Sequence, residues 1–214
     1  MDQQFWLDKW AQDQIGFHEA QPHPCMLEFW PQVADDSHAA VFVPLCGKSN
    51  DMPWLAGRGH SIVGVEISDI AVRDFFDENG IASNESEKDG MRCTAGDEYD
   101  IYCADIFEFA ERYGEKFNLI YDRAALIALA PEQRTDYAGA LTNLAAGAAS
   151  MLLITVDYDA DQISPPPHIV AADEIQSLFG YHWTIDLLKT SAADVKGQPG
   201  TETTYHLRRK QHAG

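Results

Sequence analysis

From Ala40 onward, short apolar segments alternate with helical ones, and this alternation restricts the fold more than any other feature. Strand-like stretches at 40–45, 61–67, 117–122 and 150–158 are separated by stretches of helical character. Because strands joined through helices require crossover connections, we expect an α/β fold with a doubly wound, mostly parallel sheet covered on both faces. In such sheets ligands bind beyond the carboxyl ends of the strands, which is where we look for a site.

The chain has 214 residues, and 45% of them are hydrophobic, which suffices for one compact domain with a sizeable core. We predict a single domain, 1–214, made of an N-terminal helical segment, 1–38, and an α/β core, 39–214. The formal net charge is -19, and the one basic run, 208–210, lies beside the C-terminus. Such a chain would repel a phosphate polymer, so we expect no nucleic-acid partner. We also expect a monomer that acts on a small molecule.

The sequence has no stretch of eighteen apolar residues, and its N-terminus carries acids where a secretion signal needs basic residues and an apolar run. We therefore expect neither a membrane span nor a membrane partner. The four cysteines, Cys25, Cys46, Cys93 and Cys103, include no CxxC pair. This spacing argues against zinc and is typical of reduced thiols, so we predict a cytoplasmic location and no metal.

The turn after the first predicted strand carries Gly47, Lys48 and Ser49, which resemble the end of a phosphate-binding loop. A Walker A loop needs a glycine five residues before Gly47, but this chain has Phe42 there. A dinucleotide fingerprint needs G-x-G-x-x-G, and Gly47 has Cys46 and Lys48 as neighbours. Both interpretations therefore fail, and we interpret Lys48 as a surface cation at the start of a helix.

Glu66 lies about twenty residues after Gly47, near the end of the second predicted strand. A carboxylate at this position can accept hydrogen bonds from both ribose hydroxyls of an adenosine cofactor, although it can also be an ordinary solvated acid. An adenosine cofactor without a pyrophosphate suggests S-adenosylmethionine (SAM). One close turn at Gly47 would accommodate its methionine part without a row of phosphate-binding amides.

Three stretches of the chain resemble the thiopurine S-methyltransferase family, closely and in order: DKWAQDQIGFHE, FVPLCGKSNDMPWLAGRGHSIVGVEIS and YDRAALIAL. The resemblance extends from Trp6 to about Phe179. It implies a SAM-dependent methyltransferase with a seven-stranded, doubly wound, mostly parallel sheet. It also implies that the N-terminal helices close over the active site as a lid.

The resemblance further implies which residues contact the cofactor. Trp10 would cover the cofactor from the lid, and Leu45 and Gly47 would lie beside the methionine moiety. Glu66 would hold the ribose. The alternative for Trp10 and Leu45 is a place in the hydrophobic core.

By the same resemblance, Asp105 and Ile106 would lie along the adenine edge, and Arg123 would line the junction of cofactor and acceptor. Asp105 can also be the N-cap of the helix that follows it. Arg123 can also form a structural ion pair with the adjacent Asp122. In the catalytic interpretation Arg123 favours the thiolate form of the acceptor by its charge, and it is no general base because a guanidinium stays protonated.

The acceptor pocket is predicted to be lined by Phe17, His18 and Arg123, with Asp157 and Tyr158 at its entrance. His18 could exchange a proton near neutral pH or could only form a local hydrogen bond. The family's loop after the fifth core strand usually reads G-P-P-F, whereas this chain reads P-P-P-H at 165–168.

Several functions remain open at this point. The leading one is methyl transfer from SAM to aromatic or heterocyclic thiols such as thiopurines. The same pocket could instead serve selenium or tellurium compounds in metalloid detoxification, because these are also soft nucleophiles. Two alternatives of other classes are a SAM-binding protein without catalysis and an oxidoreductase that uses NAD.

Overall fold

The computed structural model describes residues 3–34 and 38–211. Residues 1, 2 and 35–37 of the N-terminal segment predicted at 1–38 lie outside this part of the chain. The described residues contain nine strands in one sheet. The strands are β1 (Val41–Pro44), β2 (Ile62–Glu66), β3 (Asn84–Lys88), β4 (Met91–Gly96), β5 (Tyr99–Cys103), β6 (Phe117–Arg123), β7 (Ala145–Tyr158), β8 (Trp183–Val195) and β9 (Gln198–Arg209).

Seven α-helices accompany the strands in the same residues. They are α1 (Gln3–Ala11), α2 (Pro24–Val33), α3 (Asp51–Ala56), α4 (Asp69–Asn79), α5 (Ile106–Arg112), α6 (Arg134–Leu144) and α7 (Ala172–Phe179). Two short 3₁₀ helices, Leu126–Ala128 and Pro131–Gln133, lie between β6 and α6. Over residues 3–34 and 38–211, no helix combines the length and the apolar character needed to cross a bilayer.

The strand order is β3-β4-β5-β2-β1-β6-β7-β9-β8. Each of the five strands from β5 to β7 in this order runs parallel to its neighbours within that group. The outer strands are antiparallel: β4 to β5, β9 to β7, and β8 to β9. The carboxyl ends of the five parallel strands therefore meet at one edge of the sheet, which confirms the predicted α/β fold with a mostly parallel sheet.

Helices cover both faces of the sheet, as the buried strands require. Every residue of β1 and β2 is buried, and a strand buried on both faces needs a helical layer on each side. One hydrophobic cluster joins the sheet to α2, α3 and α4 through side chains such as Trp30 and Phe75. The other joins the sheet to α5, α6 and α7 through side chains such as Phe109 and Leu141.

N-cap residues fix where α4 and α5 begin, just beyond the carboxyl ends of β2 and β5. The Ser68 hydroxyl accepts the backbone N–H of Ala71 at the start of α4, and Gly80 ends that helix with a left-handed φ of 65°. The Asp105 carboxylate accepts the N–H of Phe107 at 2.8 Å and so caps α5. The N-cap interpretation of Asp105 is therefore confirmed.

The nine-stranded sheet exceeds the seven strands expected from the resemblance. The stretch SNESEKDG, 83–90, has the polar composition that predicts a loop, but its residues 84–88 form β3, which pairs antiparallel with β4. Four of the five β3 residues are exposed. A polar strand at the sheet edge lacks the apolar alternation from which strands are recognised, and this explains why the sequence pattern indicated a loop.

Candidate active site

A cavity of about 830 Å³ opens at the carboxyl ends of the parallel strands. Side chains of α1 and of the loop that follows α1 line one part of it, and the turns after β1, β2, β5 and β6 line another. Residues of β7, β8 and β9, the turn between β8 and β9, and the loop 164–167 also contribute to the lining. Its volume lies in the upper part of the range typical of ligand sites, so the cavity has room for a cofactor and a small acceptor.

Glu66, the last residue of β2, presents a buried carboxylate to this cavity. One oxygen accepts the backbone N–H of Gly47 at 2.9 Å, and the other accepts the N–H of Ser68 at 2.9 Å. Burial raises the pKa of Glu66, and the N–H groups of Ser68, Gly47 and Ile67 partly oppose this rise. The interpretation of Glu66 as a solvated strand-end acid is therefore wrong, because the carboxylate is buried and held by the backbone.

The turn after β1 places its backbone against the cavity in an unusual conformation. Leu45 has a φ of 47° and Gly47 has a φ of 52°. A left-handed φ is ordinary for glycine but strained for leucine, and such strain concentrates at functional sites. Leu45 also packs against the hydrophobic core, so its two interpretations coexist.

Trp10 and Phe17 bring the N-terminal segment over this turn. The Trp10 ring is buried and lies beside Gly47, and its centroid is 5.6 Å from that of Phe17 in an edge-on arrangement. Trp10 is thus both a packed side chain and a wall of the cavity. At the other end of α1, Gln3 donates a hydrogen bond of 2.9 Å to Asp105, which ties the helix to the start of α5.

Asp105 and Ile106 line the cavity beyond β5, next to the position of Glu66 on β2. The Asp105 side chain is committed to capping α5 and to the contact with Gln3. Ile106 is buried and offers an apolar surface. Both residues therefore line the cavity, and their place along an adenine edge stays a prediction.

Arg123 ends β6 and lines the cavity. Its guanidinium lies 3.7 Å from Asp51 and 3.8 Å from Glu19. The alternative of a structural ion pair is thus met by these two acids, but Asp122 is not the partner: it is buried and accepts hydrogen bonds from the Tyr137 hydroxyl at 2.8 Å and from a backbone N–H. Because both acidic neighbours of Arg123 are farther than a normal hydrogen bond, its N–H groups retain donor capacity toward the cavity.

His18 and Lys48 give the cavity further basic groups. Burial lowers the pKa of His18, and the positive charges of Lys48 and Arg123 lower it further, so His18 is a neutral imidazole at pH 7. Lys48 lines the cavity and its ammonium pairs with Glu78 at 2.6 Å. The prediction that Lys48 is a surface cation is wrong, since the side chain is 9% exposed.

Asp157 and Tyr158 do not line the large cavity, which corrects their predicted place at the entrance of the acceptor pocket. Side chains alternate along β7, so that Val156 faces the cavity and the exposed Asp157 does not. The Tyr158 hydroxyl donates to the carbonyl of Pro167 at 2.6 Å, and Tyr158 borders a separate cavity of about 220 Å³.

A cluster of His23, Cys25 and Glu202 at the border of the cavity was missed by the sequence reasoning. Their side-chain N, S and O atoms lie within 4.8 Å of one another, and these are metal-ligand types. The backbone N–H of Cys25 donates to Nδ1 of His23 at 3.3 Å, so Nε2 carries the ring proton and donates to Glu202 at 3.0 Å. In this arrangement hydrogen bonds join the three side chains to one another.

Comparisons with known proteins agree with this geometry. The family model for thiopurine S-methyltransferase (TPMT) matches residues 1–211. The chain belongs to the thiopurine S-methyltransferase family. The match extends beyond the stretch from Trp6 to about Phe179 that the motifs indicated, and membership supports methyl transfer as the reaction class.

Relatives within the thiopurine S-methyltransferase family match over most of the chain. A thiopurine S-methyltransferase of Marinobacter nauticus is 41% identical over 186 residues, which cover 87% of this chain and 85% of the relative. One of Methylococcus capsulatus is 40% identical and covers 100% of both chains. These values are well above the level at which a shared fold and family are secure.

Solved structures of other methyltransferases share the fold of this family member. A 1,6-didemethyltoxoflavin-N1-methyltransferase of Burkholderia thailandensis has a TM-score of 0.69 at 12% identity, covering 97% of this chain and 87% of that chain. A magnesium protoporphyrin IX methyltransferase of Synechocystis has a TM-score of 0.66 at 12% identity, covering 98% and 100%. At this identity the likeness shows the architecture, which is that of the methyltransferase sheet with extra antiparallel strands.

Proposed function

We propose that this protein transfers a methyl group from SAM to the sulfur of aromatic or heterocyclic thiols such as thiopurines. The observation that carries the proposal is the buried Glu66 carboxylate, held by the N–H groups of Gly47 and Ser68 in a cavity that Arg123 also lines. A ribose-binding group and a cation suited to a thiolate thus border the same cavity.

The residues of the cavity fit SAM. Both Glu66 oxygens accept backbone N–H groups, and the carboxylate keeps lone-pair capacity for the ribose. The turn at Gly47 brings backbone close to the cavity without a side chain, and Ile106 offers an apolar wall for an adenine ring. When bound, SAM supplies an activated methyl group on a sulfonium, whose leaving group is neutral.

Arg123 acts on the acceptor sulfur through its charge. A guanidinium close to a thiol lowers the free energy of the thiolate relative to the neutral thiol. The more nucleophilic thiolate is then the form that reacts. The neutral His18, which also lines the cavity, can accept a hydrogen bond from the thiol. Its lowered pKa makes it a weak base for removing the thiol proton.

Aromatic side chains of the N-terminal segment shape the acceptor region and exclude water. The Trp6 and Phe17 rings are 5.5 Å apart, and Phe17 contacts Trp10 in turn. This apolar wall suits a flat aromatic thiol and holds it in line with the methyl donor, which is most of what this reaction requires of a protein. These contacts support the proposal that the segment acts as a lid.

We further propose a small-molecule acceptor, a monomeric state and a cytoplasmic location, with no nucleic-acid or membrane partner. The net charge of -19 supports the absence of a nucleic-acid partner. The four cysteines are all free, which is consistent with a reducing compartment.

The test is a comparison of cofactors and acceptors on the purified protein. Calorimetric titration should show binding of SAM and S-adenosylhomocysteine (SAH), and stronger binding of NADH than of SAH would refute the cofactor assignment. Turnover of 6-mercaptopurine should yield the S-methyl product. Methylation of selenium or tellurium compounds without methylation of any aromatic thiol would favour the metalloid alternative, and SAH binding without any turnover would favour a binding protein.

A further inference from the structure

Glu202 lies on β9, at the side of the cavity away from Glu66. In the sheet order, β9 is the fourth strand from β2, with β1, β6 and β7 between them. Neighbouring strands lie about 4.8 Å apart, so β2 and β9 are separated by roughly 19 Å along the sheet. Glu202 is therefore beyond the ribose position, on the side of Arg123 where the proposed acceptor would bind.

The side chain of Glu202 is held in one orientation by two donors. Nε2–H of His23 donates to one oxygen at 3.0 Å, and the thiol of Cys25 donates to the other at 3.4 Å. Burial by itself raises the pKa of Glu202, but the hydrogen bond and charge of His23 outweigh burial and lower it, together with the hydrogen bond from Cys25 and the charge of Arg123. The carboxylate is thus ionised at neutral pH although its side chain is only 17% exposed.

The backbone fixes the two positioning residues as well. The backbone N–H of His23 donates to Asp51 at 2.7 Å. His23 is also the N-cap of α2, and its ring accepts the backbone N–H of Cys25. Asp51 also accepts the hydroxyl of Tyr121 at 3.0 Å. The orientation of Glu202 therefore depends on a partly buried network of protein groups.

An ionised carboxylate has about four lone-pair positions, and the protein donors occupy two of them. The remaining positions are available to a molecule in the cavity that Glu202 lines. Such a group attracts an N–H donor or a positive charge and repels a second carboxylate. Among aromatic thiols, this environment favours nitrogen heterocycles with a ring N–H over thiols that carry a carboxylate.

We propose that Glu202 selects the methyl acceptor, by accepting a hydrogen bond from a ring N–H of a nitrogen-heterocyclic thiol while Arg123 faces the sulfur. His23 and Cys25 are positioning residues that hold the carboxylate. The inference rests on the proposed function, and it adds that acceptors bearing a carboxylate are disfavoured.

The test measures acceptor binding at equilibrium, with the protein saturated by SAH so that no turnover is required. The two probes are 2-mercaptobenzimidazole, which offers ring N–H groups, and thiosalicylate, which carries a carboxylate. The wild-type protein should bind 2-mercaptobenzimidazole at least tenfold more tightly than thiosalicylate. Glu202→Gln should weaken the first about tenfold and strengthen the second severalfold, with unchanged SAH affinity.

A matched control separates this local effect from the change in net charge. Asp157→Asn removes one negative charge from a neighbouring strand, but Asp157 lies outside the cavity lining. This variant should keep the wild-type ratio of the two acceptor affinities. If Glu202→Gln also keeps that ratio, whether or not the two affinities themselves change, the assignment of Glu202 is wrong.

A second variant covers the case in which Glu202→Gln does not fold. His23→Asn retains a good helix N-cap but is too short to donate to Glu202. It should reduce the preference for 2-mercaptobenzimidazole in the same direction, and an unchanged preference would overturn the proposal. A protein that binds no SAH at all would instead contradict the proposed function, so the two failures are distinguishable.

Discussion

The Trp10 ring lies directly against the backbone of Gly47: a Cβ atom built on Gly47 would be 3.2 Å from Cζ2 of Trp10. The N-terminal segment therefore packs on the turn after β1 with no space for a side chain between them. Gly47 also has the left-handed φ that disfavours any other residue. Both facts bear on the proposed cofactor site, because Gly47 donates a hydrogen bond to Glu66.

We expect Gly47→Ala to impair cofactor binding through this contact. The left-handed φ should cost about 1–2 kcal/mol of stability, and the displaced Trp10 should weaken SAH binding roughly tenfold. Gly197→Ala is the matched control, because Gly197 has a φ of 79° and no atom within 4 Å of the added Cβ. Gly197→Ala should lose a similar amount of stability in thermal unfolding, while its SAH affinity in calorimetry stays at the wild-type value. Equal SAH affinity in the two variants would contradict the role of the contact between Trp10 and Gly47.

Glu66→Gln should weaken SAH binding by about 1–3 kcal/mol, the usual cost of a lost charge-assisted hydrogen bond. Because burial raises the pKa of Glu66, SAH affinity of the wild-type protein should also begin to fall at a higher pH than for an exposed glutamate when the solution is acidified. Titration calorimetry across acidic pH measures both effects. Unchanged affinity in the variant would show that the carboxylate does not hold the ribose.

Arg123→Lys should reduce turnover of an aromatic thiol at least tenfold while SAH affinity changes little. Lysine keeps the positive charge beside Asp51 and Glu19 but loses the planar set of donors. The measurements are steady-state kinetics with a thiol acceptor and calorimetry with SAH. An equal loss in both would reassign Arg123 to the cofactor.

Asp122 should make the protein less stable as the pH rises from about 4 to 6. Burial raises the pKa of Asp122 from 3.8 to about 6. Between these values the unfolded chain has released the proton and the native state still binds it, so stability falls with increasing pH, by about 3 kcal/mol in all. Asp122→Asn can still accept the N–H of Leu126 but carries no titrating group, so its stability should lack this slope. The difference in stability between variant and wild type should then change by about 3 kcal/mol between pH 4 and 6. A difference curve that is flat across this window would contradict the raised pKa.

Part of the site was predictable because it depends on neighbouring residues along the chain. The turn at Gly47 and the acid at Glu66 lie at the ends of two strands that the apolar pattern identifies, and adjacent parallel strands bring their carboxyl ends together. Asp105 was predicted as an N-cap from its own position before a helix. The family motifs then indicated Trp10 and Arg123, which do line the cavity.

Other features depended on contacts between distant segments. Lys48 was predicted to be exposed because its partner Glu78 lies thirty residues away on α4. Asp157 and Tyr158 were placed in the pocket from their position at a strand end, but the pleat of β7 turns Asp157 away and Pro167 holds the hydroxyl of Tyr158.

The sequence by itself determined the parallel core, the helix ends beside it and the acid at the end of β2, because apolar periodicity, caps and strand length act over a few residues. Only the tertiary structure decided which acid lines the cavity on the side of the proposed acceptor. Glu202 and His23 are 179 residues apart in the chain, and they meet because β9 returns antiparallel to β7 and brings its side chains to the carboxyl edge of the sheet.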